Sequence, residues 1–440
     1  MKIRLIASVL IACLACGKGQ EQAQKTAADV PPEGTCPSNS GITVPAGFCA
    51  TVFADSLGHV RDIAIAPNGD VFVNTWSGKY FQTAPHAGGF LVGLRQTSQD
   101  GKASEIERFG TDPAKGGTGG TGIALYNGYL YAEEGTSIVR YKRAEGQLRS
   151  DSASEIVVSD LPVTGDHPMH PFVIDSSGAL YTDLGSATNS CQIANRTTNS
   201  PGHKPCTELV TRAGIWKFDA NKLHQRFSPA QRYATGIRNA VGLAFDASWQ
   251  LWSTQHGRDQ LGDNFPKLYT LQVSAEQPAE ELLKIEKGGD YGWPECYYDR
   301  DQQKLVLAPE YGGDGGHAVG ICAKKDAPAT SFPGHWAPDG LAFYNGTMFP
   351  THYHGGAFVA FHGSWNRMVG PQQGYNVVFV PFANGAPSAP YEVFADGFAG
   401  PIVQPDKALH RPTGLAVAPD GALYISDDAH GRVWKVVYKQ

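Results

Sequence analysis

One phrase recurs six times along this chain, and it limits the fold more than any other feature. Each copy holds a small apolar pair, a turn, and a strand that ends in an aromatic or apolar residue. The copies read RDIAIAPNGDVFV from Arg61, TGIALYNGYLYA from Thr121, PFVIDSSGALYTD from Pro171, VGLAFDASWQLWS from Val241, DGLAFYNGTMFP from Asp339 and TGLAVAPDGALYIS from Thr413. Two short alternating strands around Asn-Gly, Asp-Gly or Ser-Gly, as most copies show, describe a β-hairpin. The anchor residues Ile63, Ile123, Phe172, Leu243, Leu341 and Leu415 follow one another at intervals of 49 to 98 residues. Intervals of that size without helical periodicity predict a propeller, and six copies predict an all-β, six-bladed β-propeller.

The composition agrees. In 440 residues there are 52 Gly, 29 Pro and 10% aromatics, which suits a turn-rich β protein. The formal charge of −6 carries no basic stripe, and this excludes a nucleic-acid partner. The start, MKIRLIASVLIACLAC, joins two positive charges to an apolar run too short to span a bilayer. It ends like a bacterial lipoprotein box, with Cys16 (or Cys13) as the expected anchor. Residues 1–15 therefore read as a lipoprotein-type signal peptide, 16–35 as a flexible tether, and 36–440 as the propeller. The expectation is an exported lipoprotein, periplasmic or at the cell surface, touching membrane only through its lipid.

Six cysteines follow the leader: Cys36, Cys49, Cys191, Cys206, Cys296 and Cys322. An even count in an exported chain points to disulfides. Sequence leaves fifteen connectivities open; nearest-neighbour pairing, 36–49, 191–206 and 296–322, is the expectation. The longest insertion, between Gly262 and Trp336, holds the one segment that reads as helix, Gln277–Glu286. A terminal strand often completes the first blade of a propeller, and Ile42–Phe53 is the candidate here.

A propeller gathers the loops at one mouth of its channel, so polar residues flanking each phrase become neighbours. Arg238 and Asn239 precede the fourth phrase, and His256, Gly257, Arg258 and Asp259 follow it. Arg61 stands at the first phrase, Arg411 before the sixth, and His167 and His170 before the third. Ser186 and Asn189 follow the third; His362, Ser364, Trp365, Asn366 and Arg367 follow the fifth. Guanidinium forks suit carboxylates, and Asn offers both donor and acceptor. A mouth rich in Arg and His with few carboxylates suits a flat, conjugated polyanion, with a histidine to take a proton from an alcohol.

The phrases GIRNAVGLAF with LWSTQHGRDQL, PAEELLKIEKGGDYGWPEC, FVAFHGSWNR and RPTGLAVAPDGALYISDDAHGRVWKV add a family likeness. From about Ile42 to Lys439 the chain resembles the soluble quinoprotein sugar dehydrogenases, closest to the sorbosone and pyranose dehydrogenase branch. The resemblance implies oxidation of an aldose or related sugar, with hydride passing to pyrroloquinoline quinone (PQQ) beside a Ca²⁺ ion. It implies His167 as the base, with His170 as the runner-up. Arg238 and Asn239 match the family's cofactor contacts; Arg61, Ser186, Asn189, His362, Trp365, Arg367 and Arg411 would line the cofactor by blade position. Backbone carbonyls of Gly257 and Arg258 would hold Ca²⁺, a hard ion that takes oxygen ligands. The chain departs from the family in having HPMHPF, without an Arg, after His167. With no CxxCH haem motif, electrons would pass to a separate acceptor, a cytochrome or a quinone. Two other readings are a Ca²⁺-dependent sugar lactonase, which would place acidic side chains on its metal, and a non-catalytic surface-binding propeller.

Overall fold

Five of the six phrases form antiparallel hairpins; the fifth holds only its first strand, Pro338–Phe343, and the partner, Ala357–Phe361, comes after a longer loop instead of the expected Asn-Gly turn. Ile63 lies opposite Val73, Ile123 opposite Ala132, Phe172 opposite Thr182, Leu243 opposite Ser253, Leu341 opposite Val359 and Leu415 opposite Ile425. The structure is a computed structural model that describes residues 40–76, 88–98, 100–112 and 118–439. The expected leader, anchor cysteine, tether and Cys36 lie outside the described residues. So does most of the loop after Trp76.

Each blade's first two strands are extended outward by two more, and in blade 2 by a further short strand, Gln225–Arg226; six such sheets make a six-bladed β-propeller, with two small two-stranded sheets beside them. Blade 1, for instance, is Val60–Ile65, Val71–Thr75, Leu91–Arg95 and Glu105–Phe109. Blade 6 takes its inner three strands, Pro412–Val417, Leu423–Asp427 and Val433–Tyr438, from the C-terminus. Its outer strand is Phe48–Ala54, antiparallel to Val433–Tyr438. The N-terminal segment thus completes the last blade and not the first. Pairing the two ends of the described chain in one sheet closes the ring, so no blade boundary is left open.

Both faces of every blade are buried, and each blade boundary carries its own apolar cluster. Val71, Val73 and Val92 of blade 1 meet Phe53, Tyr424 and Val433 of blade 6. Tyr131 and Val157 of blade 2 meet Phe172 and Trp216 of blade 3. The other four boundaries repeat the arrangement. Stacked sheets of this kind hold together mainly by removing apolar area from water. Trp434 is fully buried in the closing blade and donates its indole N–H to the Ser40 carbonyl at 2.6 Å. Trp434→Ala is expected to cost about 3–5 kcal/mol, read by denaturant unfolding. A loss under about 1 kcal/mol would show that ring closure does not depend on this packing.

The insertion corrects one expectation. Gln277–Glu286 is not a helix: Glu280–Lys284 is the third strand of blade 4, paired with Leu251–Gln255 and Thr330–Phe332. The short helix lies just before it, at Leu271–Glu276, capped by the Thr270 hydroxyl. Glu280 and Glu281 are both buried in the sheet. Disulfides join Cys191 to Cys206 and Cys296 to Cys322, as expected from nearest-neighbour pairing. Cys49 is disulfide-bonded as well.

Candidate functional site

A blade's first strand starts, and its second strand ends, at the same edge of the ring. The pairs Val60 with Thr75, Pro338 with Phe361, and Pro412 with Asp427 show this directly. Residues at these edges therefore converge on one cavity of about 540 Å³. Trp76, His256, His362 and Asp428 line it, each at the end of its blade's second strand. Arg61, Arg238, Asn239, Asp339 and Arg411 line it from the starts of first strands. Loops add Asp166, His167, Met169, Arg196, Gly257, Asp259, His335, Trp365 and Asn366, and the start of the third strand of blade 4 adds Glu280.

His167 is buried, and its Nδ1 lies 2.8 Å from the Ser186 carbonyl and 3.1 Å from the Ser186 hydroxyl. A carbonyl only accepts, so Nδ1 carries the proton and Nε2 is left with the lone pair. Burial, then the Arg238 guanidinium, hold its pKa well below the ordinary histidine value. Gly185 permits this seat, because a Cβ there would stand 2.5 Å from the His167 Cβ. The other cavity histidines are engaged differently. His256 Nε2 lies 3.1 Å from Asp339, and His362 Nε2 lies 2.7 Å from Asp428. His335 Nε2 meets the Ser274 and Gln277 carbonyls. His170, the alternative base, is behind the wall with both nitrogens occupied, by Glu133 and by the Pro162 carbonyl.

The expected shortage of carboxylates does not hold: Asp166, Asp259, Glu280, Asp339 and Asp428 all line the cavity. Four of them neutralise arginines. Arg61 bridges Asp339 and Asp428. Asp259 takes Arg238 at 2.9 Å and Arg196 at 3.0 Å, and Asp166 takes Arg196 at 3.0 Å. Glu280 accepts the backbone N–H groups of Gly257 and Ala337. No group of three or more His, Cys, Asp or Glu among the described residues is arranged to hold a metal.

Several expected cofactor residues are not at the cavity surface. Ser186 supports His167 from behind. Asn189 accepts from Arg238 and donates to the Asp259 carbonyl, so it orients a wall residue. Arg367 turns away, toward the Ala275 carbonyl and Glu276, because its loop folds back over the blade 4 insertion. Arg258 pairs with Glu310 in an adjoining crevice. The Gly257 carbonyl already accepts Arg238 Nη1 at 3.0 Å, so the positive charge at that oxygen is a guanidinium. A carbonyl oxygen has two lone pairs, so a calcium ion at Gly257 would sit beside that guanidinium.

A flat anionic cofactor fits better. Arg411 uses its guanidinium on the carbonyls of His362 and Gly363, and no carboxylate pairs with it among the described ion pairs. Arg61 Nε and Asn366 Oδ1 are buried polar atoms with no hydrogen-bond partner among the described residues. Buried donors and acceptors of this kind are places where a water, an ion or a ligand can bind. Trp365 is 54% exposed and lines the cavity, and Trp76, Met169 and Val241 form an apolar patch beside it. Trp76, Asp339 and Asp428 were passed over in the sequence although their phrases place them; Asp166, Arg196 and His335 lie in loops with no readable spacing.

A family model described as TrAA12-like matches residues 42–439. A pyrroloquinoline quinone-dependent pyranose dehydrogenase of Coprinopsis cinerea is 28% identical over 259 residues, covering 51% of this chain and 34% of that protein. An uncharacterised protein of Borreliella burgdorferi is 28% identical over 214 residues, covering 47% of this chain and 48% of that one. The chain thus spans half or less of the length of these curated relatives. The PQQ domain of the Coprinopsis cinerea pyranose dehydrogenase, in its holo form, superposes with a TM-score of 0.71 at 19% identity, over 91% of this chain and 98% of that one. A calcium structure of a Trichoderma reesei family AA12 enzyme gives 0.71 at 20% identity, over 90% and 97%. The Escherichia coli soluble aldose sugar dehydrogenase gives 0.56 at 18% identity, over 89% and 100%. At these identities the solved structures establish the shared fold.

Proposed function

The chain belongs to the TrAA12-like family, and on that premise we propose that it oxidises a sugar hydroxyl with PQQ, delivering the electrons to a separate acceptor. One observation carries the reading. A buried histidine with a fixed tautomer and a lowered pKa shares a cavity with a guanidinium free of carboxylate, unpartnered buried polar atoms and an exposed indole. The relatives named for PQQ support the same chemistry.

Arg411, Arg61 Nε, Asn239 and Asn366 would hold the cofactor, with Trp365 against its face. PQQ, when bound, supplies the acceptor for the two electrons of the alcohol carbon. His167 takes the hydroxyl proton on Nε2 while Ser186 holds Nδ1–H. Burial, with Arg238, keeps the imidazole neutral, so the base is ready at neutral pH. No step is assigned to calcium. The test is titration of PQQ into the protein, with and without Ca²⁺, followed by quinone absorbance and then by a panel of aldoses. Absence of PQQ binding under both conditions would remove the cofactor assignment. Export on a lipid at Cys16 belongs to the same proposal, and palmitate labelling of wild type against Cys16→Ala checks it.

The pH profile has a definite sign. Since burial and Arg238 lower the pKa of His167 below 6.5, the base is already deprotonated at neutral pH. Turnover of the PQQ-loaded enzyme is expected to be level through neutrality and to fall only in acid, as the pH drops through that lowered value. A limb centred above pH 7 in kcat/KM would assign the proton transfer to another group.

A further inference from the structure

Arg196 has no part in the chemistry proposed above, yet its surroundings are built with care. It comes from the loop pinned by Cys191–Cys206 and tied to the insertion by Asn199 N–H on the Asn264 carbonyl at 2.7 Å. Its own backbone is left-handed, with φ 55°, and its N–H is held by Gln192 Oε1 at 2.8 Å. A long side chain in that conformation is uncommon, and such residues cluster at functional sites. The side chain lines the cavity and is 27% exposed.

The donors can be followed one by one. Nε meets Asp166 at 3.1 Å, Nη2 meets Asp166 and Asp259 at 3.0 Å each, and Nη1 meets Gln260 Oε1 at 3.0 Å. A guanidinium has five N–H donors, so one N–H on Nη1 is left. The guanidinium that carries it is held at all three nitrogens, and two carboxylates lie against its Nε and Nη2 side. That charge pattern opposes an anion and accepts a neutral hydroxyl. Position agrees: Asp166 is next to His167 in sequence, whereas Arg61, Asp339, His362, Arg411 and Asp428 come from blades 1, 5 and 6, across the ring from blade 3. A base must lie within about 3.2 Å of the hydroxyl it deprotonates, so the sugar lies on the Arg196 side.

We propose that Arg196 is a specificity residue that donates its remaining N–H to a second hydroxyl of the sugar. The assignment rests on the dehydrogenase reading. A fixed buried donor discriminates against an analogue that lacks the matching hydroxyl. The experiment compares wild type with Arg196→Met, using glucose, galactose, mannose and xylose, and the monodeoxy forms of whichever sugar wild type oxidises fastest. PQQ affinity is titrated in parallel by tryptophan quenching. The expected result is a KM for that sugar raised roughly tenfold, with kcat and PQQ affinity little changed. One deoxy sugar, poor for wild type, should be no worse than its parent for the variant.

A variant with weaker PQQ binding and an unchanged KM would overturn the assignment, because Arg196 would then act only by bracing Asp259. Unchanged KM and unchanged deoxy-sugar discrimination would overturn it too. If wild type binds PQQ but oxidises no sugar, the dehydrogenase reading falls and takes the assignment with it. Should Arg196→Met not fold, Arg196→Lys keeps a cation between the carboxylates. It is expected to fold, to retain PQQ affinity and to lose the deoxy-sugar discrimination; keeping that discrimination would overturn the assignment.

Discussion

His167→Ala is expected to lower sugar turnover by ~10²–10⁴-fold, the usual worth of a positioned general base, while PQQ binds as before. Three facts set this histidine apart from the others at the cavity. Its Nδ1 is on a carbonyl, which fixes the tautomer. Its Nε2 has no partner among the described contacts. Its pKa is driven down by burial and by Arg238. His256 and His362 instead turn Nε2 toward carboxylates, Asp339 and Asp428. His335 is held by two carbonyls through one nitrogen. Removing His167 therefore takes away a lone pair that no neighbour replaces. The measurement is single-turnover bleaching of the quinone by the best sugar, together with a PQQ titration. Turnover within a few-fold of wild type would transfer the role elsewhere in the cavity. Loss of PQQ affinity would mean that the imidazole holds the cofactor and not the proton.

How much of this was readable from the sequence depends on whether a residue lies inside the repeated unit. The hairpin phrase encodes a blade because alternation and turn chemistry act over about ten residues, within reach of local reading. The edges of the phrase are then fixed by the antiparallel register, so Arg61, Arg238, Asn239, His256, His362 and Arg411 come together as expected. The same logic applies to Asp339, which opens the fifth phrase, and to Trp76 and Asp428, which follow the first and sixth by two or three residues. Side chains in long loops are a different matter. Arg367 follows the fifth phrase closely, yet its loop folds back and aims the guanidinium at Glu276. Arg196 reaches the cavity only because a disulfide and Gln192 shape a loop whose path has no period.

The segment Gln277–Glu286 failed for a related reason. Glu280 and Glu281 sit in a strand, both buried, where charge would argue for solvent. Glu280 is accepted there because two backbone N–H groups bind it. Burial raises the Glu281 carboxyl to about 8, and Gln255 hydrogen-bonds it at 3.0 Å. Such partners come from distant strands, and so the local pattern pointed the wrong way. The carboxylates of the cavity teach the same lesson. The arginines were visible as a surplus of charge, but the acids that neutralise them are spread over blades 3 to 6.

Arg61→Met is expected to destabilise the propeller by about 3–5 kcal/mol at neutral pH, the cost of removing one partner from a buried ion pair. Arg61 comes from blade 1, and its guanidinium lies between Asp339 of blade 5 and Asp428 of blade 6. All three side chains are buried. Burial alone would raise both carboxyls, but His362 and Arg61 together hold Asp428 down to about 2. Arg61, His362 and His256 hold Asp339 lower still. A carboxyl with a depressed folded pKa adds stability above its unfolded value of about 3.9, and that stability is lost as pH falls through the folded value. In wild type the contribution therefore persists until strongly acid pH. Without the guanidinium the two acids face each other across blades 5 and 6 in low dielectric, and one of them takes up a proton. The deficit of Arg61→Met should accordingly be largest at neutral pH and shrink as the pH is lowered toward 4, where protonation relieves the repulsion. Urea unfolding at pH 7.5 and pH 4.5 measures both values. Adding Asp428→Asn to Arg61→Met should recover part of the loss at pH 7.5, since it deletes one uncompensated charge. A deficit below about 1 kcal/mol at pH 7.5, or one independent of pH, would mean that water reaches these carboxylates and that the ring is not joined by charge at this point.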